Sequence, residues 1–199
     1  MVYNATMSLP IQAVSVKAAA PLTSPSADAD LIADCLRGDM RAFDEIVRLH
    51  TPRVFNYLLH MTRHRQDAED IAQQTFIKAY THLSSFDPTR SFIAWLLTIA
   101  RRTALNHFRS VKNFEPIAED AAASDTTPDR HLEKRDQLDT LWEQAKRVLS
   151  EREFEVLWLR YVEDRSIEEA AQILGLNKTH TKIIAFRARQ RLIKLQTQS

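Results

Sequence analysis

Apolar residues recur three and four positions apart along most of the chain from residue 28 onward, the period of helices that bury one stripe. In DADLIADCLRGD this spacing predicts a short helix, capped by Asp28 or Asp30 and stopped by Gly38. A second helix follows Asp39, with Phe43, Ile46, Val47 and Leu49 on its apolar side. Thr51-Pro52 then marks a new start, because proline is tolerated in a first helical turn, and Val54, Phe55, Leu58 and Leu59 continue the pattern. In DAEDIAQQTFIKAYTHL the stripe is Ala68, Ile71, Ala72, Thr75, Phe76, Ala79 and Leu83, which leaves Asp70, Gln73, Gln74 and Lys78 off it. After the loop SSFDPTR a long helix runs from about Ser91 through SFIAWLLTIARRTALNHFRS, apolar in its first half and basic in its second.

The stretch VKNFEPIAEDAAASDTTPD breaks the period and reads as an interdomain linker. A second unit starts near Asp129 with a helix carrying Leu138, Leu141, Trp142 and Ala145. Two capping boxes follow, Ser150 with Glu153 and Ser166 with Glu169, each opening an apolar-periodic segment. SIEEAAQILGLNKTHTKIIAFRARQRL reads as helix, glycine turn, helix, with Gly175 ending the first and Asn177 capping the second. The expected fold is all-α: a flexible leader over 1–27, a helical domain over 28–112, a flexible acidic linker over 113–128 and a smaller helical domain over 129–196.

Composition narrows the chemistry. Of 199 residues only two are glycine, Gly38 and Gly175, so no glycine-rich phosphate loop and no Asn-Gly or Asp-Gly hairpin can be built. No run of ~18 apolar residues predicts a membrane span, and the first basic residue is Lys17, which argues against a secretory signal. The single cysteine, Cys35, fits a reducing cytoplasm. The formal charge of +1 conceals segregation: 101–112 holds four basic residues and no acidic one, 113–129 five acidic and no basic, and 178–194 six basic and no acidic. Such blocks suggest two positive surfaces joined by a negative tether.

Three segments carry a functional signal. The helix–turn–helix would place the first residues of its basic second helix in a major groove, with arginines on the phosphates beside it. From Phe86 to Lys112, rings at Phe86, Phe92 and Trp95 precede Arg101, Arg102, Arg109 and Lys112, and rings beside cations are what single-stranded DNA requires; Phe92, Trp95 and Leu96 can equally be read as core. The Asp70, Gln73, Gln74 edge could dock another protein or simply meet solvent. Catalysis finds little support. His60 with His64 is the one histidine pair at helical metal spacing, no carboxylate or thiol accompanies it, and no serine or cysteine nucleophile has a plausible base. No catalytic residue, metal or cofactor is expected.

In their order and spacing, these strings resemble the sigma-70 family of RNA polymerase sigma factors, specifically the small two-domain extracytoplasmic-function type. DAEDIAQQTFIKAY is similar to the family's polymerase-binding helix, SFIAWLLTIARRTALNHFRS to its promoter-melting and minus-ten-reading helix, and LSEREFEVLWLRYVEDRSIEEAAQILGLN with the basic helix after it to its minus-thirty-five-reading domain. The resemblance implies that Asp70, Gln73 and Gln74 face the clamp of core RNA polymerase, with Gln74 where the family usually has Glu. It implies that the loop holding Phe86, Arg90 and Ser91 captures an unstacked minus-ten base, beside Arg101, Arg102, Asn106, Arg109 and Lys112; the family usually has Asn where Arg102 stands. It implies that Lys178, Thr179, His180, Lys182, Phe186, Arg187 and Arg189 meet the minus-thirty-five element. Ile183 and Ile184 replace polar, DNA-facing types, so either they touch thymine methyls of an unusual upstream element or the grip on that element is weak, and both residues can equally serve packing. The implied partners are core RNA polymerase, promoter DNA and an anti-sigma factor. The rivals are a mimic that sequesters an anti-sigma factor without binding DNA, and an ordinary helix–turn–helix repressor or activator.

Overall fold

The computed structural model describes residues 25–114, 142 and 144–197, and among them no strand occurs. They form two compact units, one carried by 25–114 and the other by most of 142–197. The leader as far as residue 24, the acidic linker from 115, and the expected helix positions Leu138 and Leu141 lie outside the described residues.

The first unit contains α1 (Pro25–Leu36), α2 (Met40–Thr62), α3 (Arg65–Thr81), a 3-10 turn (Leu83–Ser85) and α4 (Phe92–Phe114). Helices α2, α3 and α4 pack on one another and α1 lies on α2. The α3 stripe is buried as its spacing predicts, from Ala68 through Ala79 and on to Leu83. Two buried threonines return their hydroxyls to the backbone one turn earlier, Thr75 to Ile71 at 2.7 Å and Thr98 to Ala94 at 2.8 Å. Lys78, placed off the stripe, reaches across to α4 and donates to Thr103 Oγ1 at 3.1 Å.

Two expectations are corrected. Asp28 does not cap α1, which already begins at Pro25; Asp28 is buried inside it, where its Oδ1 accepts from His50 Nε2 of α2 at 3.0 Å. Pro52 does not open a new helix. The buried positions Ala42, Ile46, His50, Val54, Tyr57 and Leu58 keep one register straight past it, Pro52 itself faces solvent, and Thr51 Oγ1 donates to Val47 O at 2.6 Å. Proline removes one backbone bond and strains the turn, but the continuous core contact of this face holds the helix through it. Helix α4 runs from Phe92 to Phe114.

In the second unit the described helices are α5 (Glu151–Tyr161), α6 (Ile167–Leu174) and α7 (Lys178–Thr197). Ala145, Leu149, Phe154, Leu157, Ala188 and Leu192 form its core, with Trp142, Trp158 and Tyr161 against it. Both capping boxes close: Ser150 N–H donates to Glu153 Oε2 at 3.0 Å, and Ser166 N–H to Glu169 Oε2 at 2.8 Å. Gly175 sits at φ +66°, and Asn177 Oδ1 accepts the His180 N–H at 2.7 Å, so the turn and the cap fall where the sequence puts them. No described helix is long and apolar enough to cross a membrane.

The Asp28–His50 bond yields a prediction. Asp28→Ala leaves a buried imidazole without its acceptor, which costs about 1–3 kcal/mol. Urea unfolding of the first unit should show this loss, with Asp28→Asn recovering part of it; an unchanged midpoint would mean the bond stabilises nothing.

Candidate nucleic-acid interface

The loop between the 3-10 turn and α4 is ordered by one carboxylate. Asp87 Oδ1 accepts from the Thr89 backbone N–H at 3.0 Å and from Thr89 Oγ1 at 2.6 Å, while Oδ2 meets Arg90 Nε at 3.2 Å. These Thr89 bonds, and after them the Arg90 charge, hold the Asp87 carboxyl below its ordinary range. Ser91 Oγ then accepts the Ala94 N–H at 3.4 Å as α4 begins.

Three rings meet at this corner. Phe86 lies 5.3 Å from both Phe92 and Trp95 between centroids, and Phe92 lies 5.5 Å from Trp95. Phe92 is core and rests edge-on against His50 at 5.3 Å. Phe86 and Trp95 are half-buried, so each keeps some surface open at the loop. The core reading therefore holds for Phe92 and Leu96, and only in part for Trp95. Along α4, Arg102, Asn106 and Arg109 are exposed and Arg101 is half-buried; the Lys112 side chain lies outside the described residues. The corner thus joins stacking surface to a cationic helix face, the combination that single-stranded DNA exploits.

On α3, Asp70, Gln73 and Gln74 are all exposed. Sequence reasoning missed what continues this edge: Ile77 and Tyr80 are exposed too, with Tyr80 edge-on to Phe43 at 4.9 Å and its hydroxyl 3.0 Å from Met40 Sδ. Spacing alone could have found Ile77, which stands three and four residues after the two glutamines, off the buried stripe.

In the second unit, α7 buries Thr181, Ile184, Ala188 and Leu192. Thr179, His180, Lys182, Phe186, Arg187 and Arg189 are all exposed. Two cations of this helix have partners within the unit. Lys178 pairs with Glu168 of α6, holding that carboxyl below its ordinary value, and Arg191 meets Glu153 Oε2 at 2.6 Å. The two isoleucines separate: Ile184 is core, while Ile183 is exposed.

A capped helix–turn–helix, a basic second helix and a separate ring-and-cation corner are the features that duplex and single-stranded DNA each exploit. Comparison with known proteins makes this specific. Residues 46–114 match the family model Sigma-70 region 2, and residues 140–192 match Sigma-70, region 4. The RNA polymerase sigma factor YlaC of Bacillus subtilis is 34% identical, over 79% of this chain and 94% of its own length. The ECF RNA polymerase sigma factor SigM of the same organism is 30% identical over 75% and 91%. Among solved structures, the sigma factor RpoE from Bartonella quintana, crystallised with the anti-sigma factor NepR, superposes with a TM-score of 0.60 at 25% identity, covering 79% of this chain and 98% of that one. The chain belongs to the sigma-70 family, as an extracytoplasmic-function RNA polymerase sigma factor.

The loop geometry can be tested directly. Asp87→Ala removes the charged acceptor of the Thr89 amide, so hydrogen exchange at that amide should quicken while α3 is unchanged. Because the folded-state pKa of Asp87 is lowered, its contribution is complete above about pH 4 and fades as pH falls through the lower folded value. Equal exchange in both proteins would show that the carboxylate does not order the loop.

Proposed function

We propose that this sigma factor divides promoter recognition between its two units. The first, over 28–112, docks on core RNA polymerase through Asp70, Gln73 and Gln74, with Ile77 extending that face. The same unit holds unpaired minus-ten DNA at Phe86, Arg90 and Ser91, with Arg101, Arg102, Asn106, Arg109 and Lys112 following the strand. The second, over 129–196, lays α7 in the upstream major groove with Lys178, Thr179, His180, Lys182, Phe186, Arg187 and Arg189 toward the DNA. The observation that carries this reading is that none of these residues whose side chains are described is buried, two phenylalanines included. Phe186 in particular stands open on the basic α7, 63% exposed.

The protein acts in the cytoplasm by positioning alone, and the bond-making chemistry belongs to the polymerase. Because its solved relative was crystallised with an anti-sigma factor, we assign this chain an anti-sigma partner as well. A mimic that only titrates such a partner would have no use for cations on both DNA-facing helices.

Arg187 tests the assignment. As a phosphate contact it contributes without regard to sequence, so Arg187→Ala should weaken holoenzyme binding to all promoters alike and lower the salt slope by about 1. A variant that keeps the wild-type slope would remove Arg187 from the interface.

A further inference from the structure

We infer that Ile183 is a specificity-determining residue that reads thymine by its methyl group on the floor of the upstream major groove. The inference rests on α7 being the duplex-reading helix.

The register of α7 carries it. At about 100° per residue, the buried residues Thr181, Ile184, Ala188 and Leu192 define one side of the helix. Thr179, Ile183, Phe186 and Gln190 then fall within about 40° of the line opposite, and all four are exposed. Lys182 and Arg189 flank this line on one side, and Arg187 and Lys194 on the other, all four exposed. The outermost line of the helix therefore carries two large apolar side chains, Ile183 and Phe186, between Thr179 and Gln190, and its two borders are cationic. Phe186 is the most exposed large apolar side chain among the described residues at 63%, and Ile183 is 43% exposed. Ile184 beside it supplies the core contact, and Ile183 keeps much of its side chain open.

A helix seated with cationic borders on the phosphate walls turns its outermost line to the base edges. Those edges present hydrogen-bonding groups at every base pair, and thymine adds an apolar methyl. Against guanine, adenine or cytosine, Ile183 would cover donors and acceptors without replacing their water, which is costly. Against thymine it buries methyl against methyl. Selection thus works by penalising the other bases as much as by attracting thymine.

The test uses the chain assembled with core RNA polymerase and duplexes randomised upstream of a fixed minus-ten region. Each thymine enriched by selection is then replaced with deoxyuridine, which pairs identically but lacks the methyl. With the wild-type protein, at least one replacement should weaken binding by about fourfold, the equivalent of one methyl. Ile183→Ser should be indifferent to that replacement, and Ile183→Val should keep part of the sensitivity, which excludes a folding defect. Tolerance of deoxyuridine at every enriched thymine would overturn the inference, as would full sensitivity in Ile183→Ser. An absent upstream preference, with the minus-ten region still opened, would overturn the role of Ile183 and the upstream reading by α7, and leave only the first unit's role standing. Failure to assemble with core polymerase would sink both.

Discussion

Each functional helix of this protein must bury one stripe, and that burial dictates which residues are left to meet a partner. In α3 the buried line from Ala68 to Ala79 turns Asp70, Gln73, Gln74 and Ile77 outward. In α7 the line of Thr181, Ile184, Ala188 and Leu192 turns Ile183, Phe186 and Arg187 outward. A shift of one residue in either register would rotate the face by about 100° and exchange core for contact surface. The two cores are therefore what specify the surfaces, and no separate element is needed to aim them.

Polar anchors hold those registers in place. Glu153 is nearly buried, caps the start of α5 and receives Arg191 of α7, so a single carboxylate ties the DNA-type helix to the helix it packs on. A buried carboxylate with three donors, Ser150 N–H, Ser150 Oγ and Arg191, meets the demand that desolvated charge be paired. The first unit has a counterpart in Asp28 and His50, whose ring backs Phe92 and through it Phe86 and Trp95 at the loop corner. Core packing and the open stacking surface are continuous there. Asp87 supplies the remaining order with local bonds, leaving the loop shaped without burying it.

Much of this was legible in the sequence. Period gave away the α3 stripe, and the local chemistry of Ser150, Ser166, Gly175 and Asn177 marked the ends of helices, because caps depend on neighbours within a few residues. What was illegible depended on residues far apart in the chain. Asp28 reads as a cap until His50, 22 residues on, claims its carboxylate. Pro52 reads as a break until a register running from Ala42 to Leu58 overrides it. Ile183 and Ile184 are indistinguishable by type, and only the packing of α7 assigns one to the core and the other to the surface. Asp87 escaped notice because its role is geometric: Asp-Pro-Thr-Arg shows a turn, but not that one carboxylate collects both donors of Thr89.

This chain is a sigma factor that directs core RNA polymerase to promoters, and we propose that its ring-and-cation corner holds the unpaired strand as they open. Permanganate footprinting of promoter fragments from the source genome tests it most directly, since unpaired thymines become reactive. Reactive thymines are expected in the minus-ten region only when this protein and core polymerase are both present. Promoter fragments that stay fully paired, although the two proteins assemble on them, would contradict it.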